Sequence, residues 1–260
     1  IIRGDDHLVN AARQAQLYRA LDWPLPAFAH IPLIHGADGA KLSKRHGALA
    51  IEAYREMGFL PGAMRNYLLR LGWSHGDDEI FSREQFVSWF NLDHLGKSAA
   101  QFDEAKLRWV NGQHIKAMAD EQLAPLVAAQ LAKRGITADA RLPAICALFK
   151  DRCDTTVVLA DWAVAFYADV HIKPEDLKQF VTEAVKPTLQ TLSEKLSTTA
   201  WDKAAIAAAI KEVLTAHSLK MPQLAMPVRV LLMGTPQTPS LDAIIALFSR
   251  EEVLKRLQTA

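Results

Sequence analysis

Phe28-Ala29-His30-Ile31-Pro32-Leu33-Ile34, followed by Asp38-Gly39-Ala40-Lys41-Leu42-Ser43-Lys44-Arg45-His46-Gly47, is the stretch on which the reading of the fold turns. Ahead of it stand a short apolar start, Ile1-Ile2, and a segment to Leu21 with Leu17, Ala20 and Leu21 at helical spacing. That helix is expected to be capped by Asn10 and broken by Asp22-Trp23-Pro24-Leu25-Pro26. Phe28–Ile34 then reads as a second strand, and its proline places it near a sheet edge. Strand, helix and strand with short joints predict a parallel crossover. One such unit cannot cover both faces of a sheet, and no further strand is legible after it.

Past residue 50 the pattern is helical almost throughout. Ala50–Met57 precedes Gly58, and the helix opened by Pro61 stops at Gly72, proline first and glycine last. Ser82-Arg83-Glu84-Gln85 fits a capping box before Phe86, Trp89 and Phe90. Further helices are expected over 103–110, 120–134, 141–150, 155–168, 174–196, 200–216, 223–232 and 240–257. Pro187 is expected to kink the long one, and Ser240 or Asp242 to cap the last. The chain therefore reads as mainly α with a remnant of α/β at its front. A shift near 120 toward Ala and Leu marks a boundary.

Half of the 260 residues are apolar and 23% are charged, which supports a folded core and excludes intrinsic disorder. Lys+Arg number 30 and Asp+Glu 29, a net charge of +1, so contact with a polyanion must come from local patches. Cys146 and Cys153 cannot make a disulfide scaffold and read as idle thiols in a reducing cytosol. No Cys/His cluster has zinc spacing, so no zinc is expected. No apolar run is long enough to span a bilayer; the best, Thr155–Val170, is broken by Asp161 and Asp169. No signal peptide is visible, and the opening on Ile1-Ile2 reads as the tail of a strand begun upstream.

The strongest chemical signal is the loop from Asp38 to Gly47, where Lys41, Lys44 and Arg45 flank Ser43 among glycines. A cationic loop just after a strand of an α/β unit suits a phosphate chain, since lysines act as point charges on phosphate oxygens. A bare string of this kind is more often a solvated basic loop. Arg3-Gly4-Asp5-Asp6-His7 is the second signal. An arginine at a strand end can clamp a carboxylate, and a following acid can accept from ribose hydroxyls. The bland reading is a surface turn with a weak ion pair.

Together these residues resemble the class I aminoacyl-tRNA synthetases, and specifically the bacterial glutamyl-tRNA synthetase family. The likeness runs through Ile2–Leu8, Arg13-Gln14, Phe28–Leu33 and Lys41–Gly47. It continues through Gly58-Phe59-Leu60-Pro61, Asn66-Tyr67-Leu68, Leu71-Gly72-Trp73-Ser74, Glu79-Ile80-Phe81, Phe102-Asp103, Lys106–Gly112 and Met226–Val230. It implies a remnant of a Rossmann-type catalytic domain over 1–50 and a helical stem-contact or connecting domain over 51–119. An all-α anticodon-binding region follows over 120–260, with a further split near 187.

The resemblance also implies roles. Lys41-Leu42-Ser43-Lys44-Arg45 looks like the KMSKS-type loop, with Leu42 for the methionine and Arg45 for the final serine. Lys44, and secondarily Lys41, would stabilise charge on ATP as the glutamate carboxylate attacks the α-phosphorus. Arg3 matches the residue that grips glutamate, and Asp6, His7, Leu33 and Ile34 match positions lining the ATP site. Arg152 looks like the position contacting the third anticodon base; Arg134, Arg141, Lys150 and Arg229 are other helix-end candidates. ATP with Mg²⁺, L-glutamate, the glutamate tRNA and, as a second tRNA, that for glutamine are the implied partners of a cytoplasmic monomer. The HIGH-type tetrapeptide is absent, and His30-Ile31-Pro32-Leu33 only echoes it. The chain thus resembles the C-terminal portion of the enzyme and is expected to be inactive alone. A non-catalytic tRNA-binding module and glutaminyl-tRNA synthetase are the alternatives, the latter disfavoured by the helical carboxyl half.

Trp73, Trp89, Trp109, Trp162 and Trp201 are expected as core anchors. His75, His94, His114, His171 and His217 have no ligand spacing and read as ordinary polar residues.

Overall fold

The computed structural model describes residues 1–42 and 50–258. Its contacts divide the chain into two compact units, one of residues 1–117 with 154–156, the other of residues 118–153 and 157–260.

In the first unit β1 (Ile2–Gly4) leads through a short 3₁₀ turn into α1 (Leu8–Ala20) and on to β2 (Ala29–Ile31). β1 and β2 pair in parallel, Ile2 with Ala29, Arg3 with His30 and Gly4 with Ile31, which is the expected crossover. α1 starts earlier than predicted: His7 precedes its first residue, and Asn10 lies inside it with its amide 3.3 Å from the His7 ring. Asp22 adopts φ 54° just beyond the helix, a left-handed conformation that short polar side chains tolerate.

The expected strand over Phe28–Ile34 is two. β2 ends at Ile31, Pro32 has no N–H to donate, and β3 (Ile34–His35) begins afresh. β3 pairs in parallel with β4 (Ala100–Gln101), a strand that the sequence reading did not contain. Ala and Gln carry no β propensity, so β4 exists through its partner and not through its own residues.

The same unit holds α2 (Ile51–Glu56), α3 (Pro61–Gly72), α4 (Arg83–Trp89) and α5 (Glu104–Ala117), and α3 packs on β4. The capping box of α4 forms in full: Gln85 N–H donates to Ser82 Oγ at 3.2 Å and Ser82 N–H to Gln85 Oε1 at 2.8 Å. α3 lies on α5, with Ala63, Met64, Tyr67, Leu107, Val110 and Ile115 buried. Asn111 is fully buried there; its Oδ1 accepts from Leu60 N–H at 2.8 Å and its Nδ2 donates to the Asp154 carbonyl at 2.5 Å. Trp73 is buried among Phe81, Phe86 and Phe90, but Trp109 is not a core residue. It is 43% exposed, with the Lys106 ammonium 4.1 Å from its ring centre.

The second unit is all helix among its described residues: α6 (Asp120–Ala132), α7 (Leu142–Phe149), α8 (Thr156–Val164), α9 (Pro174–Phe180), α10 (Lys186–Thr198), α11 (Lys203–Ala216), α12 (Met221–Met233), α13 (Leu241–Leu247) and α14 (Arg250–Gln258). The 174–196 helix is divided into α9 and α10, and Pro187 sits in the first turn of α10 instead of kinking a longer helix. A proline costs nothing there, because that N–H has no intrahelical acceptor. The last expected helix is likewise divided at Phe248, whose ring stacks on Phe166 and whose carbonyl accepts from Trp201 Nε1 at 2.8 Å. Ser240 stands at the N-cap of α13 without a side-chain capping bond. Leu189, Leu192 and Leu196 of α10, Ile206 and Ile210 of α11 and Val253 and Leu257 of α14 are buried, the spacing of amphipathic faces turned to one core. No helix among the described residues is long and apolar enough to cross a membrane.

Candidate functional site

The carboxyl ends of parallel strands are where α/β folds gather polar side chains. At that end of β1 and β2 in the first unit, Arg3 donates through one guanidinium nitrogen to Gln14 Oε1 at 2.8 Å. Its Nε and remaining terminal nitrogen are buried and have no partner among the described residues. The guanidinium lies 5.1 Å from the Phe28 ring centre. A buried planar donor fork with two vacant nitrogens is the arrangement that a carboxylate satisfies bidentately. His30, the register partner of Arg3, has a buried and unpartnered Nε2 and stacks against Phe28. Sequence reasoning missed His30; the available signal was its place opposite Arg3, which needs the pairing register.

Asp6 follows in the 3₁₀ turn, and its Oδ2 accepts from Lys41 Nζ at 2.8 Å. That hydrogen bond from the Lys41 ammonium holds the Asp6 carboxyl below the usual carboxylate range. Two sequence signals far apart in the chain are thereby joined. Gly4 allows the join: a Cβ there would lie 2.6 Å from Asp6 Oδ1. Lys41 is held by a tight reversal, in which Leu42 N–H donates to the Ile34 carbonyl at 2.9 Å and Gly36 N–H to Ala40 at 2.9 Å. Gly39 turns the chain at φ 75°, and Asp38 Oδ1 accepts from Ala40 N–H. The Leu33 side chain lies near Gly4, and His7 is exposed. Ser43, Lys44 and Arg45 lie outside the described residues.

In the second unit Arg152 is exposed in a 3₁₀ turn after α7 and forms no hydrogen bond or ion pair among the described residues. Arg229 of α12 is close enough to feel its charge. Burial, and after it the Arg152 guanidinium, pulls the Arg229 pKa down. Arg229 donates to the Pro239 carbonyl at 3.2 Å, but its Nε is buried without a partner. The other helix-end candidates are tied into the fold. Arg141 donates to Asp139 and to the carbonyls of Leu247 and Phe166, Arg134 pairs with Asp161, and Lys150 pairs with Asp120 and donates to the Met118 carbonyl. Of the five candidates, Arg152 alone forms no hydrogen bond or ion pair among the described residues, and Arg229 is the one with a buried nitrogen left unpartnered.

Neither cysteine belongs to a site. Both are buried, and burial pushes the Cys146 thiol up to about 12.

Residues 1–109 match the family described as tRNA synthetases class I (E and Q), catalytic domain, and residues 119–260 the anticodon binding domain. The chain is 65% identical over 259 residues to the glutamate–tRNA ligase of Albidiferax ferrireducens and 62% identical over 264 residues to that of Paracidovorax citrulli. These alignments cover 100% of the chain but 56% and 55% of the relatives, so it spans about half their length. The crystal structure of a glutamate tRNA ligase from Elizabethkingia meningosepticum in complex with its amino acid superposes with a TM-score of 0.87 at 27% identity, covering 99% of this chain and 56% of that one. The chain belongs to the anticodon binding domain family, and ahead of that domain it carries residues that match a class I tRNA synthetase catalytic domain.

Proposed function

We propose that the chain is part of a glutamate–tRNA ligase. The observation that carries this reading is Arg3, a half-buried guanidinium with two vacant nitrogens at a parallel strand end. In the reaction a glutamate carboxylate oxygen attacks the α-phosphorus of ATP, the bond to the bridging oxygen breaks and pyrophosphate leaves. A terminal ribose hydroxyl of the tRNA then attacks the acyl carbon and displaces AMP. Mg²⁺ accompanies ATP as its substrate complex.

Arg3 is the proposed clamp for glutamate. Asp6, His7 and the backbone at Leu33 and Ile34 border the ATP, and Lys41 with Lys44 balances its phosphate charge. Residues 1–50 supply this end, residues 51–119 connect it, and residues 120–260 bind the anticodon. Arg152, seconded by Arg229, reads the anticodon there. The glutamate tRNA is the partner and the glutamine tRNA a second candidate; the protein works as a monomer in the cytoplasm. The all-helical carboxyl unit supports this reading over a glutaminyl-tRNA synthetase, whose corresponding region resembles a pair of β-barrels.

The test has two arms. The purified chain should bind glutamate tRNA in a gel-shift assay yet catalyse no ATP–pyrophosphate exchange with glutamate. Joined to the upstream part that its relatives carry, it should catalyse exchange, and Arg3→Gln should abolish it. Failure to bind the tRNA, or an Arg3→Gln protein with full exchange, would overturn the reading.

A further inference from the structure

A groove of about 630 Å³ opens in the first unit between α3, α4 and α5, and no residue of β1 or β2 lines it. Leu68, Leu69 and Val87 form its apolar wall, and Arg65 and Arg83 flank it. Both arginines are exposed, and neither makes a hydrogen bond or ion pair among the described residues. Glu84 is the one acidic residue that lines it.

At its inner end is His114, half-buried, whose tautomer is set by Asn66. Asn66 is 2% exposed, and backbone groups fix its amide: Nδ2 donates to the Glu79 carbonyl at 2.9 Å and Oδ1 accepts from Phe81 N–H at 3.1 Å. His114 Nε2 lies 3.0 Å from that same Oδ1, so it must be the donor. Nδ1 is then an acceptor. It has no partner among the described residues and faces Gly62, where an added Cβ would lie 3.6 Å from it. Burial first, and the Arg65 charge second, lower the His114 pKa and keep that nitrogen unprotonated.

We infer that this groove binds a nucleotide, its base against Leu68, Leu69 and Val87, an amine or hydroxyl donating to His114 Nδ1, and its phosphate between Arg65 and Arg83. An apolar carboxylate would leave Nδ1 unmet, and inorganic phosphate would leave the apolar wall unfilled. A nucleotide supplies a flat ring, a donor and a dianion together. The inference uses none of the residues of the proposed ligase site, so either can fail alone.

The test is calorimetric titration of the whole chain with AMP as free nucleotide, with inorganic phosphate as control. A hexa-adenylate in the Arg152→Ala background represents an RNA chain. AMP or the hexamer should bind, and phosphate alone more weakly. Arg65→Gln and Arg83→Gln should each weaken binding by about tenfold, the loss of a charge-assisted hydrogen bond. Gly62→Ala, which covers Nδ1 without burdening a helix, should weaken it by about fivefold at unchanged melting temperature, the scale of one neutral hydrogen bond. Lys41→Gln should leave it alone. Preference for AMP assigns the groove to a free nucleotide and preference for the hexamer to RNA. Binding that ignores both arginines, binding lost in Lys41→Gln, or no binding of either probe overturns the inference.

Discussion

Arg3 and Arg256 present one side chain in opposite conditions. Arg256, in the carboxyl unit, is 7% exposed, and every arm of its guanidinium is engaged. It donates to Glu252 at 2.6 Å, to the Leu232 carbonyl at 2.6 Å and to the Ala168 carbonyl at 2.9 Å, and it lies over the Phe248 ring. Arg3, at the strand end of the amino-terminal unit, has one engaged nitrogen and two buried vacant ones. The Arg256 guanidinium closes the end of α12 at Leu232, whose carbonyl has no intrahelical donor, and the bend at Ala168. Arg3 has two buried nitrogens without a partner among the described residues, the arrangement that a carboxylate would satisfy. Partners, more than burial or residue type, separate the arginine that holds the fold from the one proposed as the glutamate clamp.

The contrast can be broken by substitution. Arg256→Ala should destabilise the chain most, by about 2–3 kcal/mol in denaturant unfolding, because it leaves the Leu232 and Ala168 carbonyls without their donor and takes one of the two cations beside Glu252. A cost below about 1 kcal/mol would remove the structural half of the comparison. Asn111→Ala in the other unit should cost about 2 kcal/mol, since it leaves Leu60 N–H buried without an acceptor. If the chain works within a ligase as proposed, Arg152→Ala in the full-length protein should weaken tRNA binding by about 1–3 kcal/mol and change third-base preference; an equal loss for all tRNAs would make it a phosphate contact. Arg3→Gln should change stability by no more than about 0.5 kcal/mol, because it removes vacancies along with a single hydrogen bond. A large loss would mean that Arg3 too belongs to the scaffold.

The smallest effect is a pH dependence. The folded-state pKa of His114 is lowered, so the unfolded chain takes up the proton first as pH falls. Its contribution is complete above the ordinary histidine value of 6.5 and is lost as pH falls below it. His114→Gln should flatten that part of the stability curve.

Much of this was legible in the linear chain. Helix ends were marked by local chemistry, as at Pro61, Gly72 and the Ser82–Gln85 box, and the parallel pairing of β1 with β2 followed from strand, helix and strand. Errors arose where local signals were silent or pointed two ways. Nothing in Ala100-Gln101 announces a strand, and Pro187 fits the start of a helix as well as the kink of one. Trp109 shows the same limit: its apolar neighbours suggested a core, yet the face of α5 that carries it is turned outward.

For the sites, residue type and local pattern marked Arg3, Asp6 and Lys41 as candidates, and the family resemblance singled out Arg152. Neither could show that Lys41 meets Asp6, that Arg229 stands beside Arg152, or which arginines carry vacant nitrogens. Capping, turn formation and helix periodicity act within a few residues, so they are written in order along the chain. A vacancy depends on which donors and acceptors arrive from distant segments, and folding alone brings those segments together.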